Sequence, residues 1–455
     1  MKSNFVTIII AILIAAQGFS LKAQAQKQNS FSMSLKQAEA RALRFSDQLK
    51  AIQSNTESAV DNSKAQFGKL LPGLTLSGYY QYNTYVPDVS LPFPGAAPIQ
   101  FGSHNNYGVG PTLSYTLWDT GAQRAAYQAS KLLAQSKKDQ EINARAQTLF
   151  ALRAAYVRLQ LGLEELKLLY SSLKLAKSQQ RDINANFHAG AASLLDRVDS
   201  NREVINFQLQ FKQEQSVVQS DFQDLLNLVH VRVADDQNDH LGPPGLSGVN
   251  FALKLDGLES SLQAVSRWRL TPPSEEQPEL RSFTALEKSS KEQARSAWAE
   301  HFPRLRISAS TMVQYPYEVE LKTVEQNTFM ATISMPLFEG GQIHDRVEAS
   351  QSAATAARYE RDQAKRDLMN AYNKAMSQLQ NLKAQRKLAL LDVKSSEEAA
   401  KLYESSYRAG KINFIDVEAA NNRALVARVN AARIDAQMLD SIFLLESISG
   451  KDTLQ

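Results

Sequence analysis

Two hydrophobic periods alternate along this chain. Residues 107–117 place apolar side chains at nearly every second position, with small or polar residues between them, and residues 305–315 and 329–337 repeat this pattern. A period of two predicts β-strands. Residues 149–173 instead space Leu and Tyr by alternating steps of three and four. That spacing predicts a long helix with a coiled-coil seam.

The two periods together predict four strands and four long helices. We expect strands over about residues 73–86, 105–118, 304–316 and 327–337, and long helices over about 120–187, 193–230, 341–407 and 413–449. A shorter helix that Ser34 can cap is predicted to run to about Phe67. Strands with one apolar and one polar face suit either a transmembrane barrel with a wet lumen or a half-buried sheet in a soluble sandwich.

The second half of the chain repeats the first. Residues 117–229 align with 337–449 without a gap and with a constant difference of 220 in residue number, which places Gly121 on Gly341. A repeat of this length indicates a duplicated structural unit. We expect the first repeat at 34–231, a linker or equatorial segment at 232–275, and the second repeat at 276–450.

The N-terminus has the features of a secretory signal peptide. Lys2 precedes an apolar run at residues 5–16, and Ala23-Gln24-Ala25 follows as a small-residue cleavage pattern. The apolar run is too short to span a bilayer as a helix. We expect a signal peptide at residues 1–25, with cleavage after Ala25 and export from the cytoplasm.

Composition narrows the functional classes. The formal net charge of +4 and the predicted export disfavour a nucleic-acid partner, and a chain with no cysteine depends on packing and hydrogen bonds alone. The sequence contains no phosphate loop, no dinucleotide fingerprint, no nucleophile elbow and no His-Glu-x-x-His spacing. We therefore expect neither enzymatic activity nor a cofactor or metal site.

Four strands cannot close a barrel, so spanning strands require several chains to share one. Several local motifs occur in a fixed order, and some of them are duplicated. They are Ser34-Leu35-Lys36-Gln37-Ala38, Leu71-Pro72-Gly73-Leu74, Leu117-Trp118-Asp119-Thr120-Gly121 with its copy Leu337-Phe338-Glu339-Gly340-Gly341, and paired Ala-Gly turns followed by Leu195-Asp196 and Ile415-Asp416. In this order they resemble the TolC-type outer-membrane efflux protein family over essentially the whole mature length.

The resemblance implies an α+β membrane protein that works as a homotrimer. Each chain would give four transmembrane strands to a shared twelve-stranded barrel, and its long helices would form a periplasmic α-helical barrel. The implied location is the outer membrane of a Gram-negative bacterium, in contact with outer-membrane lipid and with a periplasmic extension. The chain ends at Gln455, so a C-terminal tail in the equatorial domain is expected to be minimal or missing.

The resemblance also implies a function and partners. The chain would be the outer-membrane channel of a tripartite efflux system, a passive duct for small molecules. Its partners would be a periplasmic adaptor (membrane fusion) protein and an inner-membrane RND or ABC transporter. A type I protein-secretion duct is an alternative with the same fold. A periplasmic coiled-coil scaffold or adaptor is a further alternative, which explains the helices but not the strands.

Two Ala-Gly turns separate the paired long helices, at Ala189-Gly190 and Ala409-Gly410. From the residues alone, each glycine is predicted to end a helix in a left-handed conformation. The resemblance implies in addition that Ala189, Gly190, Ala409 and Gly410 form the periplasmic tip that docks the adaptor.

The residues after these turns offer a candidate gate. Asp196 and Asp416 each follow a cap candidate, Ser193 or Asn413, by three residues. A carboxylate in the first turn of a helix is stabilised by the helix dipole, which explains both positions without a gate. The resemblance implies that Asp416 forms a ring of carboxylates where the tunnel narrows, and that Asp196 and Tyr407 belong to the network that holds the closed state.

The chain departs from the family pattern at this gate. The basic bridging position of the family is Ile412 here, with Lys411 beside it, and a second acidic position is Ala419. We therefore expect a weaker or rearranged latch, with Glu418 as a substitute for the second acidic position.

Overall fold

A computed structural model describes residues 31–89, 93, 99–100, 102–231, 253–268, 270–316 and 321–450. The predicted signal peptide at 1–25 lies outside the described residues. The predicted segment at 232–275 lies outside them in part.

The described chain consists of eight helices and eight strands. The helices are α1 (Leu35–Phe45), α2 (Asp47–Gly68), α3 (Ala122–His188), α4 (Leu194–Leu228), α5 (Leu258–Val265), α6 (Pro278–Ala299), α7 (Gln342–Arg408) and α8 (Phe414–Ser449). The strands are β1 (Phe31–Ser32), β2 (Gly73–Tyr82), β3 (Asp88–Val89), β4 (Ile99–Gln100), β5 (Asn105–Trp118), β6 (Leu253–Lys254), β7 (Arg304–Tyr315) and β8 (Val324–Ser334). None of the helices in this described part has the length and apolar character needed to cross a membrane.

The chain forms two compact units. The helical unit comprises the described residues of Met1–Ala40, Ala155–Ser261 and Ala389–Ala436. The sheet unit comprises the described residues of Arg41–Ala154, Leu262–Leu388 and Gln437–Gln455. The candidate gate and tip residues all belong to the helical unit.

The core of the helical unit lies between α3, α4 and α8. The heptad seam predicted from the sequence continues through α3 as a buried row, and aromatic side chains of α4 pack against it. The buried cluster consists of Leu166, Leu169, Leu173, Ala176, Val204, Phe207, Phe211 and Leu425. This packing joins α3, α4 and α8 within the helical unit.

The sheet unit contains a four-stranded antiparallel sheet with the order β2-β5-β7-β8. Its register aligns Leu74 with Leu113, Leu113 with Ala309 and Ala309 with Phe329. Since directly paired residues share a face, this row is apolar across all four strands. The neighbouring row is polar throughout and consists of Thr75, Thr112, Ser310 and Thr328.

The structure corrects three predicted boundaries. The first helix is not continuous, because Ser46 breaks it with a non-helical conformation and caps α2 by accepting a hydrogen bond from the backbone N–H of Leu49. Strand β2 ends at Tyr82, not residue 86, because Tyr82 already pairs with Asn105 at the start of β5. Strand β8 spans Val324–Ser334 where 327–337 was expected. Pro336 follows and has no N–H for a ladder.

Candidate functional site

The turn between α3 and α4 is a helix C-cap that requires a left-handed residue. Gly190 has a φ of 74°. Its N–H donates to the carbonyl of Phe187 at 3.1 Å, and the N–H of Ala191 donates to the carbonyl of Asn186 at 2.8 Å. These two bonds define a Schellman motif, which satisfies carbonyl groups that the end of the helix leaves free.

The turn between α7 and α8 has the same geometry. Gly410 has a φ of 68°. Its N–H donates to the carbonyl of Tyr407 at 2.8 Å, and the N–H of Lys411 donates to the carbonyl of Ser406 at 3.0 Å. A Cβ added at this glycine would meet no atom within 4 Å, and the same holds at Gly190. Glycine is therefore selected by backbone conformation and not by lack of space.

All four predicted tip residues, Ala189, Gly190, Ala409 and Gly410, are exposed in the chain. The geometry of both turns fully accounts for the glycines. It does not account for the alanines, whose small side chains face open space.

The start of α4 is closed by a capping box. The Asp196 N–H donates to the Ser193 hydroxyl at 3.1 Å, and the Ser193 N–H donates to the Asp196 carboxylate at 3.1 Å. The Ser193 hydroxyl also donates to that carboxylate at 2.8 Å. Asp196 therefore stabilises the start of α4, independently of any further role.

The start of α8 is related but less complete. The Asn413 N–H donates to the Asp416 carboxylate at 3.3 Å, and the Asp416 N–H donates to the Asn413 backbone carbonyl at 3.2 Å. Asp416 thus lies in the first turn of α8, where the helix dipole favours its charge.

A small hydrophobic cluster joins the two turns. Tyr407 packs edge-on against Phe414, with 5.7 Å between the ring centroids. The buried members of the cluster are Ile183, Phe414 and Val417, and the partly buried ones are Ala192, Tyr407 and Ile412. Ile412, the residue at the family's basic position, thus contributes to packing and not to charge.

The structure brings Asp196 close enough to Tyr407 for the carboxylate charge to act on the Tyr407 hydroxyl. Burial, followed by the negative charge of Asp196, raises the pKa of the Tyr407 hydroxyl above its ordinary value. A neutral phenol can donate a hydrogen bond to a carboxylate.

Sequence reasoning missed an ion pair between α4 and α8. The Arg202 guanidinium donates from one nitrogen to both carboxylate oxygens of Glu418, at 3.0 and 2.9 Å. The Glu418 carboxylate therefore already has an ion-pair partner within the chain. Arg202 and Glu418 are 216 positions apart in the sequence, so only the packing of the two helices reveals the pair.

The sheet gives a second candidate functional surface. Val109 and Ile333, which lie on the apolar face of the sheet, are 52% and 73% exposed in the single chain. Val109 pairs with Val313, and Ile333 pairs with Leu305. These residues form part of one apolar face that a single chain leaves open to solvent, which is unfavourable in water.

The model of the outer membrane efflux protein family matches residues 274–451 of this chain. None of the curated protein sequences compared with the chain matches it. The match confirms, for the second predicted repeat, the family resemblance that the motifs indicated.

Solved structures with the same fold include a membrane protein, an outer membrane channel and an outer membrane protein. A membrane protein from Pseudomonas aeruginosa is 18% identical, with a TM-score of 0.72 over 91% of this chain and 89% of its own. The CmeC outer membrane channel of Campylobacter jejuni is 17% identical, with a TM-score of 0.72 over 91% and 85%. The outer membrane protein VceC of Vibrio cholerae is 15% identical, with a TM-score of 0.72 over 91% and 96%. The chain shares their fold, which is mostly helical with a small sheet.

Proposed function

We propose that this chain is the outer-membrane channel of a tripartite efflux system. Three copies would share one twelve-stranded barrel in the outer membrane of a Gram-negative bacterium, and their helices would form a periplasmic tunnel. The channel would be a passive duct for small molecules, and an inner-membrane RND or ABC transporter would supply the energy through a periplasmic adaptor.

The observation that carries the proposal is the sheet. Within the described residues, β2 and β8 form its two edges, and neither has a second strand partner. Open edges in lipid leave backbone groups unpaired, which the assembly of several four-stranded sheets into one closed barrel removes. The apolar face fits lipid, and the polar face fits a wet lumen. The alternative of a periplasmic scaffold does not explain a sheet with an apolar face and two open edges.

The same proposal gives the helical turns two roles. Ala189, Gly190, Ala409 and Gly410 would form the adaptor-docking tip, since they are small and exposed. Asp196, Tyr407 and Asp416 would form the gate. Three-fold symmetry would bring three Asp416 carboxylates together, and their combined negative charge would favour cations at the mouth.

The experiment that tests the proposal combines location, assembly and conduction. The full-length protein is expected in the outer-membrane fraction as trimers that dissociate only on heating, and the purified trimer is expected to conduct ions in planar bilayers. A protein that is found in the soluble periplasmic fraction and lacks conductance would exclude a channel and favour a scaffold.

A further inference from the structure

One buried carboxylate in the helical unit has no role in the turns or the gate. Glu203 lies on α4, and only 3% of it is exposed. Its Oε2 atom has no hydrogen-bond partner within the described part of the chain. An ionised carboxylate in such a position is strongly disfavoured unless it gains a partner or a proton.

Glu203 lines a cavity where four long helices of the helical unit meet. The cavity has a volume of about 160 Å³. Helix α3 contributes Gln179 to the wall, α7 contributes Ala400, α8 contributes Asn421, and α4 contributes Phe207 beside Glu203. A change in the charge of Glu203 therefore changes the electrostatic environment of a cavity that all four helices share.

The basic groups around Glu203 are already engaged by other acids. Arg202 of α4 donates to both oxygens of Glu418 on α8. Arg428 of α8, which lines the cavity, donates to Glu397 of α7 at 2.6 Å. These two cations are therefore shared with Glu418 and Glu397, and neither is dedicated to Glu203.

The remaining charged groups of the cavity wall lie on α7. Glu404 pairs with Arg408 of the same helix at 2.6 Å, and Lys401 is exposed to solvent. The wall residues from α3, among them Ser172 and Gln179, carry no charge. The titratable neighbour that acts against ionisation of Glu203 is Glu418, beside which Asp199 adds further negative charge.

We propose that Glu203 is a proton-binding site that controls how tightly α4 packs against α8. With the proton bound, the neutral side chain is accommodated next to the Arg202–Glu418 pair. When the proton leaves, two carboxylates repel each other across the helix interface, and the packing loosens.

The proton affinity of the site fits a switch near neutral pH. Burial, followed by the charge of Glu418, raises the pKa of Glu203 to about 7, although Arg202 lowers it. Because the pKa is raised above the ordinary glutamate value of 4.5, the stabilising contribution is complete below about 4.5 and is lost progressively as the pH rises to about 7. If the chain is the channel proposed above, acidification would favour the state in which α4 packs tightly against α8.

The first test observes the proton directly. Infrared difference spectra of the purified full-length protein are recorded between about pH 6 and about pH 8. We expect C=O bands of protonated carboxyl groups at the lower pH. Glu203→Gln should remove one of them, while the band of Glu214, whose pKa burial also raises to about 7, remains. Glu398→Gln, which changes an exposed glutamate of α7, is the control and should retain both bands. Titration of Glu203 in the range of an ordinary glutamate would overturn the proposal.

The second test measures packing. We expect the unfolding temperature of the wild-type protein to fall as the pH rises from about 4.5 to about 7. In Glu203→Gln this fall should be smaller, with the remainder due to groups such as Glu214. Glu418→Gln removes the repelling charge and should shift the transition to lower pH. A Glu203→Gln protein that keeps the wild-type pH dependence would contradict the proposal, and the shift in Glu418→Gln decides the question if Glu203→Gln fails to fold.

Conductance measurements distinguish failure of the proton switch from failure of the proposed channel function. The effect of Glu203 on channel opening rests on that function. Wild-type channels should open more often at about pH 8 than at about pH 6, and Glu203→Gln channels should not. Conductance that is independent of pH, in a protein whose Glu203 titrates as expected, would overturn the coupling to gating. Absence of any conductance would contradict the proposed function, while the infrared result would still report on the proton site.

Discussion

At the scale of single residues, backbone conformation determines the two helix turns. Gly190→Ala should destabilise the protein by about 1–2 kcal/mol, because an L-residue with a side chain is strained in the left-handed region. Asparagine tolerates that region, so Gly190→Asn should cost less. Chemical denaturation of all variants at one protein concentration measures the difference.

A matched glycine provides the control for this prediction. Gly68 ends α2 with no positive φ, and a Cβ there would also meet no atom within 4 Å. Gly68→Ala should therefore be neutral or slightly stabilising. Equal losses at Gly68 and Gly190 would show that the left-handed conformation is not what makes Gly190 necessary.

Residues also differ in how far the sequence alone could reveal their roles. The three-residue spacing from Ser193 to Asp196 predicts a cap, because capping depends on local contacts. Glu203 and Arg202 gave no such signal, because their environment is built by helices that are distant in the sequence. Glu418 was noted as an acidic substitute, but its pairing with Arg202 could not be foreseen without the register of α4 against α8.

At the scale of secondary-structure elements, periodicity was informative where the pattern was long. Helix α3 spans Ala122–His188 where a helix over 120–187 was expected, and α7 spans Gln342–Arg408 where 341–407 was expected. The sequence pattern does not predict the helix break at Ser46, because a serine within a helical pattern of apolar residues resembles an exposed position of a continuous helix. Strand β8 was misplaced because alternation continues past the residue at which Pro336 prevents pairing.

The proposed gate is tested by conductance. Asp416→Ala should reduce cation preference, because it would remove three like charges from the mouth of the proposed trimer. Tyr407→Phe combined with Asp196→Ala should raise the open conductance, because it removes the donor and the charged acceptor of the closed state. Single-channel recordings in planar bilayers measure both effects, and unchanged traces in both proteins would refute the gate assignment.

Asp196 needs a separate control because it also caps α4. Ser193→Ala disrupts the capping box but leaves the Asp196 charge beside Tyr407, and it should cost about 0.5–2 kcal/mol of stability. Its conductance should stay near that of the wild type. A rise equal to that of the double variant would mean that loss of the cap, and not of the closed-state contact, opens the channel.

At the scale of the whole molecule, the tip is predicted to work only in complex with a partner. Ala189→Trp or Ala409→Trp should abolish transport, because a bulky side chain on an exposed turn blocks close docking of the adaptor. Trimers should still reach the outer membrane, since both alanines face open space. Ala189→Ser and Ala409→Ser are the size controls. Unimpaired efflux by the Trp variants would show that the adaptor docks elsewhere.

The proposed assembly of a shared barrel can be tested by placing charges on the apolar face of the sheet. Val109→Arg places a charge on the apolar face of β5, and Ile333→Arg does so on β8. If these faces contact lipid, each change should cost about 2–4 kcal/mol near the middle of the membrane. The yield of heat-modifiable trimers in the outer-membrane fraction measures the loss.

Thr112→Arg is the matched control, since Thr112 lies on the polar row of the same strand and would face the wet lumen. A charge there should leave the trimer yield close to that of the wild type while changing ion selectivity. Two results would defeat the shared barrel. One is equal loss of trimers from arginine on either face. The other is a stable monomer that keeps all four strands in solution, because the open edges of β2 and β8 would then need no partner chain.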